Sequence, residues 1–319
     1  MRLPLTAFPK KMKLETVPFH GWNNTLKLSN DSVEMLITTD VGPRILSYKT
    51  KAGSNVLKIF EDQLGSANER EFRIRGGHRF WLGPEDLVLS YHHDNVPANY
   101  RRDEFSNELL VESLQTRPQD IRKTLGITLS DSGSRVTIRH TAANLGDQNI
   151  TLATWGLTML EPGGLQIIPQ PPLGEHPRDL QPNRGMVLWP YTALSDPRVT
   201  FGQKDWLLQQ EEGYLPTKIG LAHREQWVAY ILGETLFIKT FDYQANAQYP
   251  DGGCNFETFT DSDMIEIESL GPLTTLRPDE IASHVENWYL FPLTEEMQIE
   301  SEELLSEWIA PFLARTHLA

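Results

Sequence analysis

The chain has 319 residues and a single cysteine, Cys254. One thiol excludes an internal disulfide and a metal site built from several cysteines, and it favours a reducing, cytoplasmic location. No apolar run reaches the length of about 18 residues that a membrane-spanning helix needs. The apolar start of the chain is interrupted by Pro4 and Thr6, so no signal peptide is expected there.

Positive charge is also scarce. The sequence contains 29 Lys and Arg against 43 Asp and Glu, which gives a net charge of −14. No cluster of basic residues offsets this balance, so nucleic acid and anionic membrane surfaces are not expected partners. A small ligand that is neutral or bound by local contacts fits better.

Helical periodicity is rare, and alternation of apolar and polar residues dominates. Val33, Met35 and Ile37 share one face of a strand, and Gly42-Pro43 predicts the turn of a hairpin. Many short strands between Gly, Pro, Asn and Asp turns are typical of an antiparallel sandwich. Since neither a linker nor a repeat interrupts the pattern, residues 1–319 are predicted to form one mainly β domain, with a short C-terminal helix at about residues 295–315.

The densest polar stretch is "IRGGHRFWLGPED", residues 74–86. A sugar pocket needs an aromatic face for the C–H side of the ring and charged groups for its hydroxyls, and this stretch offers both. We therefore predict that it contributes Arg75, Arg79, Trp81 and Glu85 to a binding site. Two alternatives stay open: Arg75 can pair with Glu85 or Asp86 to hold the loop, and Trp81 can belong to the core.

A second acidic stretch covers residues 249–269. Glu257 lies on a predicted strand whose two faces are both bulky or apolar, so its carboxylate is expected to be semi-buried and to need partners. Tyr249 and Asp251 are candidate ligand contacts, although the "PDGG" segment is also a plain turn. Glu266 and Glu268 share a strand face that we interpret as the solvent side of a sheet.

Several stretches resemble the galactose mutarotase-like superfamily. "FRIRGGHRFW" resembles its arginine-glycine-glycine turn, particularly in the hexose-6-phosphate mutarotase branch, and "VEMLITTDVGPRILSYKTKAGSNVL" resembles its opening strands. "GGCNFETFT", "LGPLTTLRPDE" and "ENWYLF" are similar to its closing section. "ATWGLTMLEPGG" and "IESLGPL" resemble a bacterial group called domain of unknown function 4380. The resemblance implies an antiparallel β-supersandwich that binds a sugar or sugar phosphate on its concave face, without a cofactor.

Mutarotation needs a base for the anomeric hydroxyl and an acid for the ring oxygen. The resemblance places Glu257 where the superfamily has its catalytic base, and His92 or His93 close to its first histidine. Adjacent residues of a strand point in opposite directions, so at most one of this pair faces the site. We favour His93, which Asp94 can orient, as a catalytic residue, and keep His92 as a possible ligand contact.

Where the resemblance implies the superfamily's proton-donating histidine, this sequence has "TLATWGLTML", with Trp155 and no histidine. An indole can stack on a sugar ring but cannot act as a general acid. Two hypotheses follow: His78 or His93 supplies the proton in an aldose 1-epimerase, or the protein is a sugar-binding module without catalysis. His78 can also serve only to hold its turn by hydrogen bonds.

Two further alternatives are weaker. A partner-binding sandwich would leave the dense polar turn unexplained. A metal site lacks any pair of ligands at standard helix spacing. Its candidate ligands would be Glu85, Asp94, His78, His92 and His93.

Overall fold

The computed structural model describes residues 12–294 and 301–316, which form two antiparallel sheets, one α-helix and one short 3-10 helix. Spatially ordered, the strands of the first sheet are β1 (Lys13–Phe19), β2 (Trp22–Ser29), β3 (Val33–Thr38), β4 (Arg44–Thr50), β5 (His78–Gly83), β10 (Ile150–Leu160), β19 (Ile265–Leu270), β18 (Phe256–Thr260), β15 (Thr217–Leu221) and β12 (Met186–Leu188). Strand β20 (Thr274–Leu276) also pairs with β10. A short 3-10 helix, Glu61–Gln63, lies between β4 and β5.

The second sheet is built in the same antiparallel way. Its order is β13 (Val199–Phe201), β14 (Asp205–Gln209), β11 (Leu165–Pro169), β16 (Trp227–Leu232), β17 (Thr235–Phe241), β21 (Ile281–Pro292), β9 (Val136–Asn144), β8 (Ile121–Leu129), β7 (Leu109–Ser113) and β6 (Ala98–Arg102). The predicted mainly β, antiparallel sandwich with a short C-terminal helix is therefore confirmed.

The predicted hairpin of β3 and β4 is present. Val33, Met35 and Ile37 are buried in the core between the sheets, and β3 pairs with β4 in antiparallel register. Gly42 in the turn has a φ of +102°, and a Cβ there would lie 2.7 Å from the backbone nitrogen of Arg44. The turn therefore requires glycine at this position.

The centre of the first sheet is buried on both faces. In β10 every residue from Leu152 to Leu160 is buried, and all six residues of β19 are buried as well. One face packs on the second sheet. The opposite face must therefore be covered by other parts of the chain, and it carries the candidate site described below.

The helix α1 (Glu302–Leu313) covers the outer face of the second sheet. The hydroxyl of Ser301 accepts a hydrogen bond from the backbone N–H of Leu304 and caps the helix. Leu305 and Ile309 pack on outward-facing side chains of β17 and β21. Residues 295–300 of the predicted helix lie outside the described residues. In the part of the chain that the structure describes, no helix is long and apolar enough to cross a membrane.

We predict that the helix contributes to stability through one face only. Leu305 is 1% exposed and Leu304 is 46% exposed. Leu305→Ala should lower the free energy of unfolding by about 2–4 kcal/mol through lost burial and a cavity, whereas Leu304→Ala should change it by less than about 0.5 kcal/mol. Urea denaturation measures both, and equal losses would contradict the packing of α1.

Candidate active site

Four adjacent strands of the first sheet bring the site together. Arg79 on β5 lies opposite Leu157 on β10, which lies opposite Glu268 on β19, which lies opposite Glu257 on β18. Residues directly opposite one another point to the same side of a sheet. This row therefore lies on the outer face, together with Trp81 and its partner Trp155 in the next row.

A cavity of about 200 Å³ opens on this face. Its lining comes from β5, β10, β15, β18, β19 and the loops beside them. It consists of Arg79, Trp81, Glu85, Tyr91, Trp155, Tyr191, Lys218, Asp261 and Glu266, together with Phe72, Ile74, Leu157, Phe259 and Met264. Four of the predicted contacts, Arg79, Trp81, Glu85 and Trp155, line this one cavity.

Lys218 lies at the centre of the charged groups. Its Nζ is 2.8 Å from Glu257 Oε2, 3.1 Å from Glu268 Oε2 and 4.0 Å from Glu85 Oε2. Burial alone would lower the pKa of Lys218, but Glu268 and Glu257 outweigh that effect and raise it above its ordinary value. Lys218 is therefore a fixed cation. Trp155 Nε1 completes the cluster by donating to Glu268 Oε2 over 2.9 Å.

Two carboxyl groups of the site are shifted toward their protonated forms. Burial raises the pKa of Glu257 well above its usual value, Lys218 opposes the shift, and Glu268 adds to it. Burial, helped by Glu268 and opposed by Arg79, raises the pKa of Glu266 to about 7. Glu266 lines the cavity, so it can exchange a proton with a ligand near neutral pH.

One nitrogen of the Arg79 guanidinium group has a hydrogen-bond partner, and the other two have none. Its Nη2 is 3.3 Å from Glu266 Oε1, and its guanidinium stacks 4.3 Å from the ring of Trp81. Nε and Nη1 have no hydrogen-bond partner, although the side chain is buried. Unpaired buried donors are costly, and Arg79 is one of the residues that line the cavity.

His78, predicted as a proton donor, is not brought to the cavity. Side chains alternate along β5, so His78 points into the core while Arg79 points outward. His78 Nδ1 is 2.9 Å from Thr158 Oγ1, and its Nε2 is 2.8 Å from His140 Nε2. Burial and His140 hold the pKa of His78 well below its usual range.

His92 and His93 also lie away from the cavity. Their rings stack at 4.6 Å, and both residues line a separate recess beside Asp94. Burial and His93 lower the pKa of His92. The structure does not show the expected orientation of His93 by Asp94: Arg44 Nη2 donates to both carboxylate oxygens of Asp94, and His93 Nδ1 has no hydrogen-bond partner.

Arg75 holds a loop instead of lining the cavity. It is fully buried, and its Nη2 pairs with Glu69 at 2.8 Å and donates to Asn95 Oδ1 at 3.1 Å. Arg75 therefore holds its loop through an ion pair, as the alternative in the sequence analysis described, but with a different acid. Its partner is Glu69, and neither Glu85 nor Asp86 takes that role.

Tyr249 and Asp251 lie in the turn before β18 and are not among the cavity's lining residues. Tyr249 stacks on Tyr243, and its hydroxyl accepts from the backbone N–H of Gln244. Asp251 adopts a φ of +50°. Burial raises its pKa, and the neighbouring Glu257 and Lys218 oppose the shift. Asp251 is therefore close enough to Glu257 and Lys218 to interact with them electrostatically, although it does not line the cavity.

Lys218, Glu266 and Glu268 were missed in the sequence. Glu266 and Glu268 are 6% and 0% exposed, so their interpretation as the solvent side of a sheet is wrong. A signal was available for Lys218, which stands within the short, mostly apolar segment "TKIGL" that forms β15. A charged residue on a strand buried on both faces needs an opposite charge nearby.

One group of described residues has ligand atoms close enough for a metal ion. Atoms of His78, His140 and Glu286 lie within 4.8 Å of one another. Lys239 Nζ, however, lies 2.7 Å from Glu286 Oε1, and Trp288 Nε1 donates to the other oxygen. A resident ammonium group beside the carboxylate does not fit a metal centre.

The fold is similar to that of several solved structures. A galactose mutarotase-like protein from Lactobacillus casei has a TM-score of 0.53 at 10% identity, covering 84% of this chain and 100% of that chain. A candidate aldose 1-epimerase from Klebsiella pneumoniae has a TM-score of 0.57 at 10% sequence identity, and the match covers 89% of this chain and 84% of that chain. A second candidate aldose 1-epimerase, from Escherichia coli K12, has a TM-score of 0.53 at 12% sequence identity, and the match covers 89% of this chain and 100% of that chain.

These likenesses establish the fold of the chain as that of the galactose mutarotase-like β-sandwiches. No family model matches the chain, and no curated protein matches its sequence with significance. The resemblance to the domain of unknown function 4380 group therefore stays a prediction.

We predict that Lys218→Met is destabilising in a pH-dependent way. Removing the cation leaves Glu257 and Glu268 buried together, which should cost about 3–5 kcal/mol of unfolding free energy. Lys218 opposes the rise in the pKa of Glu257, so without this cation the folded-state pKa of Glu257 lies still further above its unfolded value. The loss should therefore be small at pH 5 and grow as the pH rises to 8.

Urea denaturation of the variant and the wild type at both pH values measures this difference. Lys204→Met is the control, since the side chain of Lys204 is 50% exposed. An equal loss at pH 5 and pH 8 would show that Lys218 acts through packing and not through its charge.

Proposed function

We propose that the cavity binds one sugar ring and that the protein accelerates exchange between the two anomers, as an aldose 1-epimerase does. The cavity of about 200 Å³ is smaller than the ~300–1,000 Å³ of pockets for drug-sized ligands, which suits a monosaccharide. Trp81 and Trp155 offer apolar surface for the C–H face of the ring. The free donors of Arg79 suit its hydroxyl oxygens.

The observation that carries the catalytic part is the position of Glu266. It is a buried carboxyl group in the cavity wall with a pKa of about 7. In this proposal Glu266 is the acid that protonates the ring oxygen, and Glu85 is the base that takes the anomeric proton. Glu257, predicted as the base, is fully buried against Lys218 and supports the charge balance behind the cavity.

One observation favours a second candidate, a sugar-binding module without catalysis. No histidine is among the described residues that line the cavity, and the superfamily resemblance implied a histidine where Trp155 stands. The two candidates share the binding site and differ only in turnover. We also propose that residues 1–319 form one domain, that the protein belongs to the 4380 group and that it is cytoplasmic.

The test is Glu266→Gln. The amide keeps the shape and most hydrogen bonds, so sugar binding measured by calorimetry should stay within about threefold. Anomer exchange measured by NMR should fall roughly 10²- to 10⁴-fold, the usual contribution of one acid–base group. In the wild type, the rate should decline above pH about 7, because Glu266 then loses the proton that it donates.

His93→Asn is the matched control and should leave the rate unchanged, since His93 lines a different recess. A panel of free and phosphorylated aldoses is measured with each variant. Binding without any acceleration of exchange by the wild type would select the non-catalytic candidate. Absence of both binding and exchange across the panel would contradict both candidates.

A further inference from the structure

Carboxylates outnumber cations around the cavity. Among the described residues, the acids Glu85, Asp261 and Glu266 line it, and the basic residues that line it are Arg79 and Lys218. Glu257 and Glu268 lie against the ammonium group of Lys218. Five carboxyl groups therefore face two cations, and three of them, Glu85, Asp261 and Glu268, remain when the two that are shifted toward their protonated forms are left out.

Both cations are already paired. Lys218 lies between Glu257 and Glu268, and Arg79 Nη2 contacts Glu266. The remaining donors of Arg79 can bind neutral oxygens, but the site has no surplus positive charge. An anionic group entering this cavity would lose its hydration and meet carboxylates without a free counter-charge.

Glu85 is the acid best placed to meet a cationic ligand. The hydroxyl of Tyr91 donates to its Oε1 over 2.7 Å, which orients the carboxylate. Its Oε2 is 4.0 Å from Lys218 Nζ, beyond hydrogen-bond distance, and the side chain is 31% exposed. The rings of Trp81 and Tyr91 are 5.0 Å apart beside it, and aromatic faces also attract cations.

We propose, on the basis of the sugar-binding function above, that the cavity selects an amino sugar with a protonated amine, such as a 2-amino-2-deoxyhexose. Its ammonium group faces Glu85, its hydroxyl oxygens accept from Arg79, and its ring lies against the indoles of Trp81 and Trp155. Sugars that carry a phosphate or a carboxylate are disfavoured.

Calorimetry at low ionic strength tests this with four matched probes: 2-amino-2-deoxyglucose, glucose, N-acetylglucosamine and glucose 6-phosphate, and the same four in the galactose series. The amino sugar should bind roughly tenfold more tightly than its parent hexose, as one favourable charge contact in a partly buried site allows. The N-acetyl derivative, which lacks the charge, should lose that gain. The 6-phosphate should bind more weakly than the hexose.

Glu85→Gln should reduce the preference for the amino sugar over the hexose roughly three- to tenfold, because it removes one charge without removing the side chain. The preference is the ratio of the two affinities, so it is measured independently of any change in hexose affinity that the loss of the proposed base causes. Glu104→Gln is the control: Glu104 is exposed in the loop between β6 and β7, so the preference should not change.

The outcomes separate this proposal from the proposed function. If the parent hexose binds as tightly as the amino sugar, or the phosphate binds more tightly, the charge preference is wrong while sugar binding stands. Retention of the full preference in Glu85→Gln would also overturn it. If neither hexose nor any derivative binds, the proposed function itself fails.

Discussion

Alternation of side chains in the central strands of the first sheet assigns each polar group to one of two buried compartments. On β5, His78 faces the second sheet and Arg79 faces the cavity. On β10, Thr158 takes the inner side and Leu157 the outer side. Since both faces are buried, neither group can be exchanged for its neighbour without a change of register. The identity of the site follows from this constraint.

The inner compartment supports the outer one. Lys239 on β17 donates to Thr158 Oγ1 and to the carbonyl of Ile267, so a strand of the second sheet is bonded directly to β10 and β19. Its charge is balanced by Glu286 at 2.7 Å. Buried ion pairs are expensive to desolvate, and here the pair fastens the two sheets beneath the strands that carry Glu266 and Trp155.

Much of the fold could be predicted from local pattern, because period-two alternation and turn residues are properties of neighbouring positions. The same is true of the cavity residues Arg79, Trp81 and Glu85, which stand in one conspicuous stretch. His78 stands in that stretch too, but the sequence does not show which alternate residues of β5 face the core, and His78 is one of those that do. Lys218 could not be paired with Glu257 or Glu268 from sequence, since their contact depends on strand pairing across about 40–50 positions of the chain.

The position of β21 also has a consequence for synthesis of the chain. This strand pairs with β17 on one side and β9 on the other, so it joins two halves of the second sheet, although it is the last strand of the described residues. A nascent chain that lacks β21 holds two sheet fragments with exposed edges at β9 and β17. Such edges pair readily with other chains. The second sheet can therefore be completed only after β21 has left the ribosome's exit tunnel.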